Sequence, residues 1–152
     1  MAVLSGLLYM NNKDVFNEYG AFLMEEKEGE YQNYSAFLKP PQAKSHTAVS
    51  YREEDGEQLP DKLTPNFEPR NITLLFAIMA DTRAQFFKNY TAFVRFLITG
   101  SDGWLSVYLP ELEQTYRVVY SGCSDYTQLT DLESGQVVGK FKVTLREPKP
   151  NF

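Results

Sequence analysis

The sequence predicts an α+β fold: an antiparallel β-sandwich or barrel with one flanking α-helix and a long middle hairpin or loop. Three observations point there. Apolar residues alternate with others in runs near positions 70–79, 104–121 and 136–146. One stretch alone, positions 82–99, repeats apolar residues at helical spacing. Between them and the start lies chain rich in Pro, Gly and charge, without a clear period. Short strands with a single helix suit an antiparallel sandwich or barrel with the helix laid against it.

Met1 to Glu30 begins apolar and ends in the acidic run Glu25, Glu26, Glu28 and Glu30. Tyr31 to Pro69 follows, and residues 31–59 of it are expected to protrude as a hairpin or loop from a single domain, 1–152. Arg70 to Met79 reads as a strand. Ile72, Leu74, Phe76 and Ile78 alternate with Thr73, Leu75, Ala77 and Met79. Both faces are mostly apolar, so something should pack on each.

Thr82 with Gln85 three residues later fits a capping box. The helix it opens should stop at Gly100. Phe86, Phe87, Tyr90, Phe93, Val94, Leu97 and Ile98 share one apolar arc, which is expected to pack on the sheet. Phe96 falls outside the arc. Ser101-Asp102-Gly103 is a turn. Trp104 to Leu109 and Gln114 to Ser121 alternate around a short polar segment and read as a hairpin. A closing strand spans Gln136 to Arg146. It turns Val137, Phe141, Val143 and Leu145 inward and Lys140, Lys142, Thr144 and Arg146 outward.

Composition excludes several classes. With 11 Phe, 10 Tyr and 1 Trp among 152 residues, wholesale disorder is excluded. The net charge of -5 disfavours a general nucleic-acid binder. Cys123 is the only cysteine, which excludes an internal disulfide and a cysteine-based zinc site. His46 is the only histidine and lies in a polar stretch. The most apolar run, Ile72 to Ala80, is far short of the roughly 20 residues a bilayer needs. No positive charge precedes Lys13, so no secretory signal is read.

No Gly-x-Ser-x-Gly elbow, P-loop, Gly-x-Gly-x-x-Gly or His-Glu-x-x-His motif occurs, so no catalytic residue is assigned and no enzyme is expected. No cofactor or metal site is assigned. Glu53-Glu54-Asp55-Gly56-Glu57 lacks the spacing of a calcium loop. Cys123 is expected to be buried as a small hydrophobe. The glycosylation patterns at Asn33, Asn71 and Asn89 are taken as chance matches.

What remains is chemistry suited to association. Trp104 and Tyr108 lie on the strand face opposite Leu105 and Val107. Phe96 lies off its helix arc. Tyr31, Tyr34, Phe37 and Leu38 have no period that would bury them. Lys140, Lys142 and Arg146 form a cationic stripe. These ten residues are the candidate subunit interface, since interfaces are enriched in aromatics and Arg. A satellite cluster under the loop, or a solvated strand face, accounts equally for the pattern.

The order of motifs resembles the amino-terminal tube domain of siphophage distal tail proteins and the related tail-tube fold. Asn11-Asn12-Lys13-Asp14 followed by Tyr19-Gly20 is similar to that family's opening turn and Tyr-Gly pair. Val49 to Arg52, Asp55, Gly56 and Leu59 are similar to its Val-Pro-Gly-Arg-Asp-Gly segment, with Ser50-Tyr51 at the Pro-Gly and Glu53-Glu54 inserted. Arg70, Ile72, Leu74 and Phe76, then the helix, the hairpin 104–120, and Phe141, Val143 and Leu145 before Pro148 follow in order. The resemblance implies a structural phage or prophage tail protein. It implies a ring, a hexamer, joining tail tube to baseplate, with the tube domain alone in this chain. It also implies contacts with other tail or baseplate proteins and DNA passing through the lumen without specific binding. The place would be the virion tail, assembled in a bacterial cytoplasm, with no membrane partner. The competing reading is a carbohydrate-binding β-sandwich, with Trp104 and Tyr108 as a sugar-stacking platform.

Overall fold

The computed structural model describes residues 6–25, 31–46, 48–133 and 135–150. Its elements run in order β1 (Tyr9–Met10), β2 (Lys13–Asp14), α1 (Val15–Tyr19), β3 (Ala21–Leu23), α2 (Gln32–Leu38), β4 (Arg70–Ala80), α3 (Arg83–Thr99), β5 (Trp104–Leu109), β6 (Gln114–Gln128) and β7 (Val137–Glu147). All strands join one antiparallel sheet, in the order β2-β1-β5-β6-β7-β4-β3.

That order forces the sheet to curl. Its two edges, β2 and β3, are joined by α1 alone. Seven flat strands would span about 29 Å at ~4.8 Å per gap. A five-residue helix rises only about 7–8 Å. The sheet therefore closes on itself like a barrel, with α1 across the seam. The predicted class, an antiparallel sandwich or barrel with a flanking helix, matches this architecture.

Local chemistry sets each piece of the seam. Asn11 and Asn12 both have positive φ, 52° and 66°, as a two-residue hairpin of mirror-image turn type requires. Asp14 caps α1 by accepting from the Phe16 amide, and it also accepts from Gly6. Gly20 ends α1 at φ 68°. A Cβ there would sit 2.5 Å from the Met79 carbonyl oxygen, so only glycine lets β3 enter beside β4.

The core fills the inner face. Ile72, Leu74, Phe76 and Ile78 of β4 meet Phe141, Val143 and Leu145 of β7, and all are buried. Helix α3, capped by Thr82 accepting from the Gln85 amide, lies across them. Phe93 stands edge-on to Phe76 at 5.3 Å between centroids, and Tyr90 edge-on to Phe141 at 5.4 Å. The arc is narrower than its spacing predicts: Phe86, Phe93 and Leu97 are buried, whereas Phe87 and Ile98 are exposed. Phe96, placed off the arc, packs against the core's rim on Tyr19, 5.5 Å away. The extra helix α1 accounts for the difference, because it brings Tyr19 to the flank of α3.

The outer face of β4 is also covered. Leu75 and Ala77 are buried, opposite Lys142 and Lys140 of β7. Both lysines are half-buried, so their aliphatic stems lie on this face while their charge stays wet. Strand β6 continues past Ser121 to Gln128 through irregularities at Tyr120/Gly122 and Ser124/Thr127.

Candidate functional site

The first correction concerns residues 31–38. Residues 32–38 form α2, with Tyr31 at its N-cap, tied to the framework at four points. Glu25 accepts from the Gln32 amide at the helix start. Asn33 is buried, donating to the Met24 carbonyl and accepting from the Leu75 amide. Its amide thus extends the β4 edge beyond the last residue of β3. Phe37 is buried 5.0 Å from the ring of Tyr116, which removes it from any interface. Tyr34 donates to Glu111 in the β5–β6 turn. Burial is the main reason its phenol titrates well above the ordinary value, reinforced by the carboxylate it donates to. Tyr31 and Leu38 remain exposed, with Tyr31 stacked on Tyr34.

The protrusion is residues 39–69. Ala43 pairs with Phe67, and Val49 with Gln58, so its two limbs run antiparallel. Its tip carries Glu53, Glu54, Asp55 and Glu57 against one cation, Arg52, all exposed. Val49, Tyr51, Leu59 and Leu63 are exposed along it. Its base is clamped by a buried ion pair. Arg70 Nε donates to Glu147 Oε1 at 2.5 Å, across the β4–β7 pair, and Arg70 Nη1 donates to the Lys39 carbonyl at 2.5 Å. One guanidinium therefore holds both where the hairpin leaves and where it returns. It also lies 5.5 Å from the Tyr116 ring. Sequence reading missed this clamp. Its signal was an Arg opening one long strand and a Glu ending another, visible only once the two strands are known to pair.

The cationic stripe is more engaged than alternation alone suggests. Lys142 lies 3.8 Å from Asp125, and Arg146 donates to Asn71. Lys140 is half-buried and Arg146 is exposed. Trp104 and Tyr108 do not form one platform. Arg117 lies 4.4 Å over the Trp104 ring, and Tyr108 pairs with Tyr9 at 6.3 Å. Cys123 is exposed rather than buried, yet its thiol is raised by partial burial, offset in part by a hydrogen bond with Tyr120.

A second group of cations was not singled out by the sequence. Lys13, Arg95 and Arg117 line a pocket of about 780 Å³ between the β1–β2 turn, the end of α3 and β5–β6. Phe96 and Trp104 line it as well. No periodic signal could have found it, because its three walls are 80 or more residues apart in part of their sequence spacing, as between Lys13 and Arg95. Among the described residues no cluster of His, Cys, Asp or Glu could hold a metal ion. No helix among them is long and apolar enough to cross a membrane.

Fold and surface together define a curled β-sheet domain with an exposed hairpin clamped at its base. This fold is similar to that of a solved phage distal tail protein. The crystal structure of the SPP1 Dit protein (gp 19.1), described as a paradigm of the hub adsorption apparatus in phages infecting Gram-positive bacteria, superposes with a TM-score of 0.59. The match covers 98% of this chain and 51% of that one, at 11% sequence identity. This chain thus spans about half the length of that protein. No family model and no curated protein sequence matches.

Proposed function

We propose that this chain is a structural, non-enzymatic component of a phage or prophage tail, acting as the repeating unit of a ring, a hexamer, where tail tube meets baseplate. The observation that carries this reading is the shared fold with SPP1 Dit over 98% of the chain. The hairpin supports it. An arm of about thirty residues with exposed Tyr51, Val49, Leu59 and Leu63, clamped at its base, is built to cover something other than its own core. Of the ten predicted interface residues only Phe37 is buried; Tyr31, Leu38, Tyr108 and Arg146 are exposed, and Tyr34, Phe96, Trp104, Lys140 and Lys142 are half-buried. The acidic balance, -5 overall, suits a lumen through which DNA must pass without sticking, since like charges repel. Other tail or baseplate proteins would stack on the two rims.

Sedimentation analysis of the purified chain over a wide concentration range, with negative-stain imaging of the heaviest species, tests the reading. A closed ring of one size is expected. A chain that forms no closed ring at any concentration, alone or mixed with its neighbouring tail proteins, would overturn it.

A further inference from the structure

The pocket at the end of α3 holds three cations that no carboxylate of the described residues pairs with. Among the described residues none of Lys13, Arg95 and Arg117 has a carboxylate partner within ion-pair distance. Nor do the three serve the helix end. Near the end of α3 the chain itself takes several carbonyls: Arg95 O accepts from the Thr99 hydroxyl, Phe96 O from the Gly100 amide and Thr99 O from the Gly103 amide. No Asp or Glu lines the pocket, although acids outnumber bases in the chain by 20 to 15. Asp14, the nearest acid in sequence to Lys13, is occupied capping α1. The cations instead lie on aromatic rings. Lys13 Nζ stands 5.3 Å from the Phe96 centroid, and Arg117 lies over Trp104.

The other unmatched charge is the hairpin tip. Glu53, Glu54, Asp55 and Glu57 face solvent beside exposed Tyr51, and none of them lines the pocket of their own chain. Like charges concentrated at a turn repel one another unless cations meet them. We propose that the Lys13–Arg95–Arg117 pocket of one copy receives the acidic hairpin tip, residues 51–57, of a second copy. This rests on the ring reading and names its contact. Tip and pocket are different surfaces, so the contact is head-to-tail and can close a ring. The carboxylates meet the three cations, and Tyr51 adds an aromatic face to Phe96 and Trp104. The closing-strand stripe is a poorer partner, because Lys142 is already beside Asp125 and Arg146 on Asn71.

Trp104 is the only tryptophan and lines the pocket, so its fluorescence reports occupancy. The receptor is the full chain with its own tip neutralised (Glu53→Gln, Glu54→Gln, Asp55→Asn, Glu57→Gln). The probe is a synthetic peptide of residues 48–60. Saturable change in Trp104 emission is expected, weakening as salt rises. Lys13→Glu with Arg95→Glu, both exposed side chains, should weaken it at least tenfold while circular dichroism stays unchanged. A peptide with the tip acids changed to Lys should recover binding to that reversed receptor. No saturable change, or an equal response from the reversed receptor, overturns the proposal. So does saturation by inorganic phosphate without response to the peptide, which would make the pocket a small-anion site. The titration needs no assembly. A chain that binds the peptide but never forms rings counts against the ring reading and leaves the pocket assignment standing.

Discussion

Arg70 shows how one side chain can organise a segment of thirty residues. Its guanidinium is buried, so its charge must be matched; Glu147 does that, and Glu147 and the Lys39 carbonyl take its Nε and Nη1 donors. Removing one partner leaves the other charged and dry. Glu147→Leu is therefore expected to destabilise the chain by about 3–5 kcal/mol in denaturant unfolding. Adding Arg70→Met should recover much of that loss, because an apolar pair of similar volume needs no compensation. It should also loosen the hairpin base, since the Lys39 carbonyl loses its donor when Arg70 is replaced. Limited proteolysis separates the two effects: the double variant should be cut within 39–69 faster than wild type although its global stability has returned. Cleavage at the wild-type rate would mean that the clamp contributes nothing to holding the arm.

At the scale of elements, legibility followed length. β4, α3, β5 and β7 each run six residues or more, so their periods of 2 or 3.6 could be read directly. β1, β2 and β3 have two or three residues each, too few to show a period, and they exist only because partners distant in sequence pair with them. Helix α2 hid for another reason. Its seven residues are held by Asn33 and Phe37 reaching the framework, not by an amphipathic stripe. The α3 arc was legible but too wide, since spacing says which side faces inward and not how far the sheet extends beneath it. Two truncations measure this. Phe93→Ala should cost about 3–5 kcal/mol, because the ring is fully buried between Phe76 and Phe141. Ile98→Ala, on the same sequence-defined arc but 54% exposed, should change stability by less than about 1 kcal/mol. Equal losses would show that α3 packs through a broader face.

For the whole molecule, the aromatic content that excluded disorder also sets how the fold responds to alkali. Burial raises the phenols of Tyr19, Tyr34, Tyr90, Tyr116, Tyr120 and Tyr126 above their ordinary 10.0, with burial the largest cause in every case. Tyr120, which shares a hydrogen bond with Cys123, is pushed up to about 12, and Tyr34 is raised further by Glu111. These tyrosines come from α1, α2, α3 and β6, so they report on the whole curled sheet and not on one face. A raised phenol means that the folded state keeps its proton when the unfolded chain has released it. The folded chain then binds more protons than the unfolded one, and stability falls as pH rises. The contribution is complete below pH 10 and is lost as pH climbs from 10 through 12. Denaturant midpoints should be flat with respect to tyrosine ionisation up to about pH 10 and then drop steeply. Tyrosinate absorbance of the folded chain should lag that of the denatured chain over the same interval. Native and denatured titration curves that coincide would mean that these rings are solvated, and that the barrel is open where α3 and β6 are placed together.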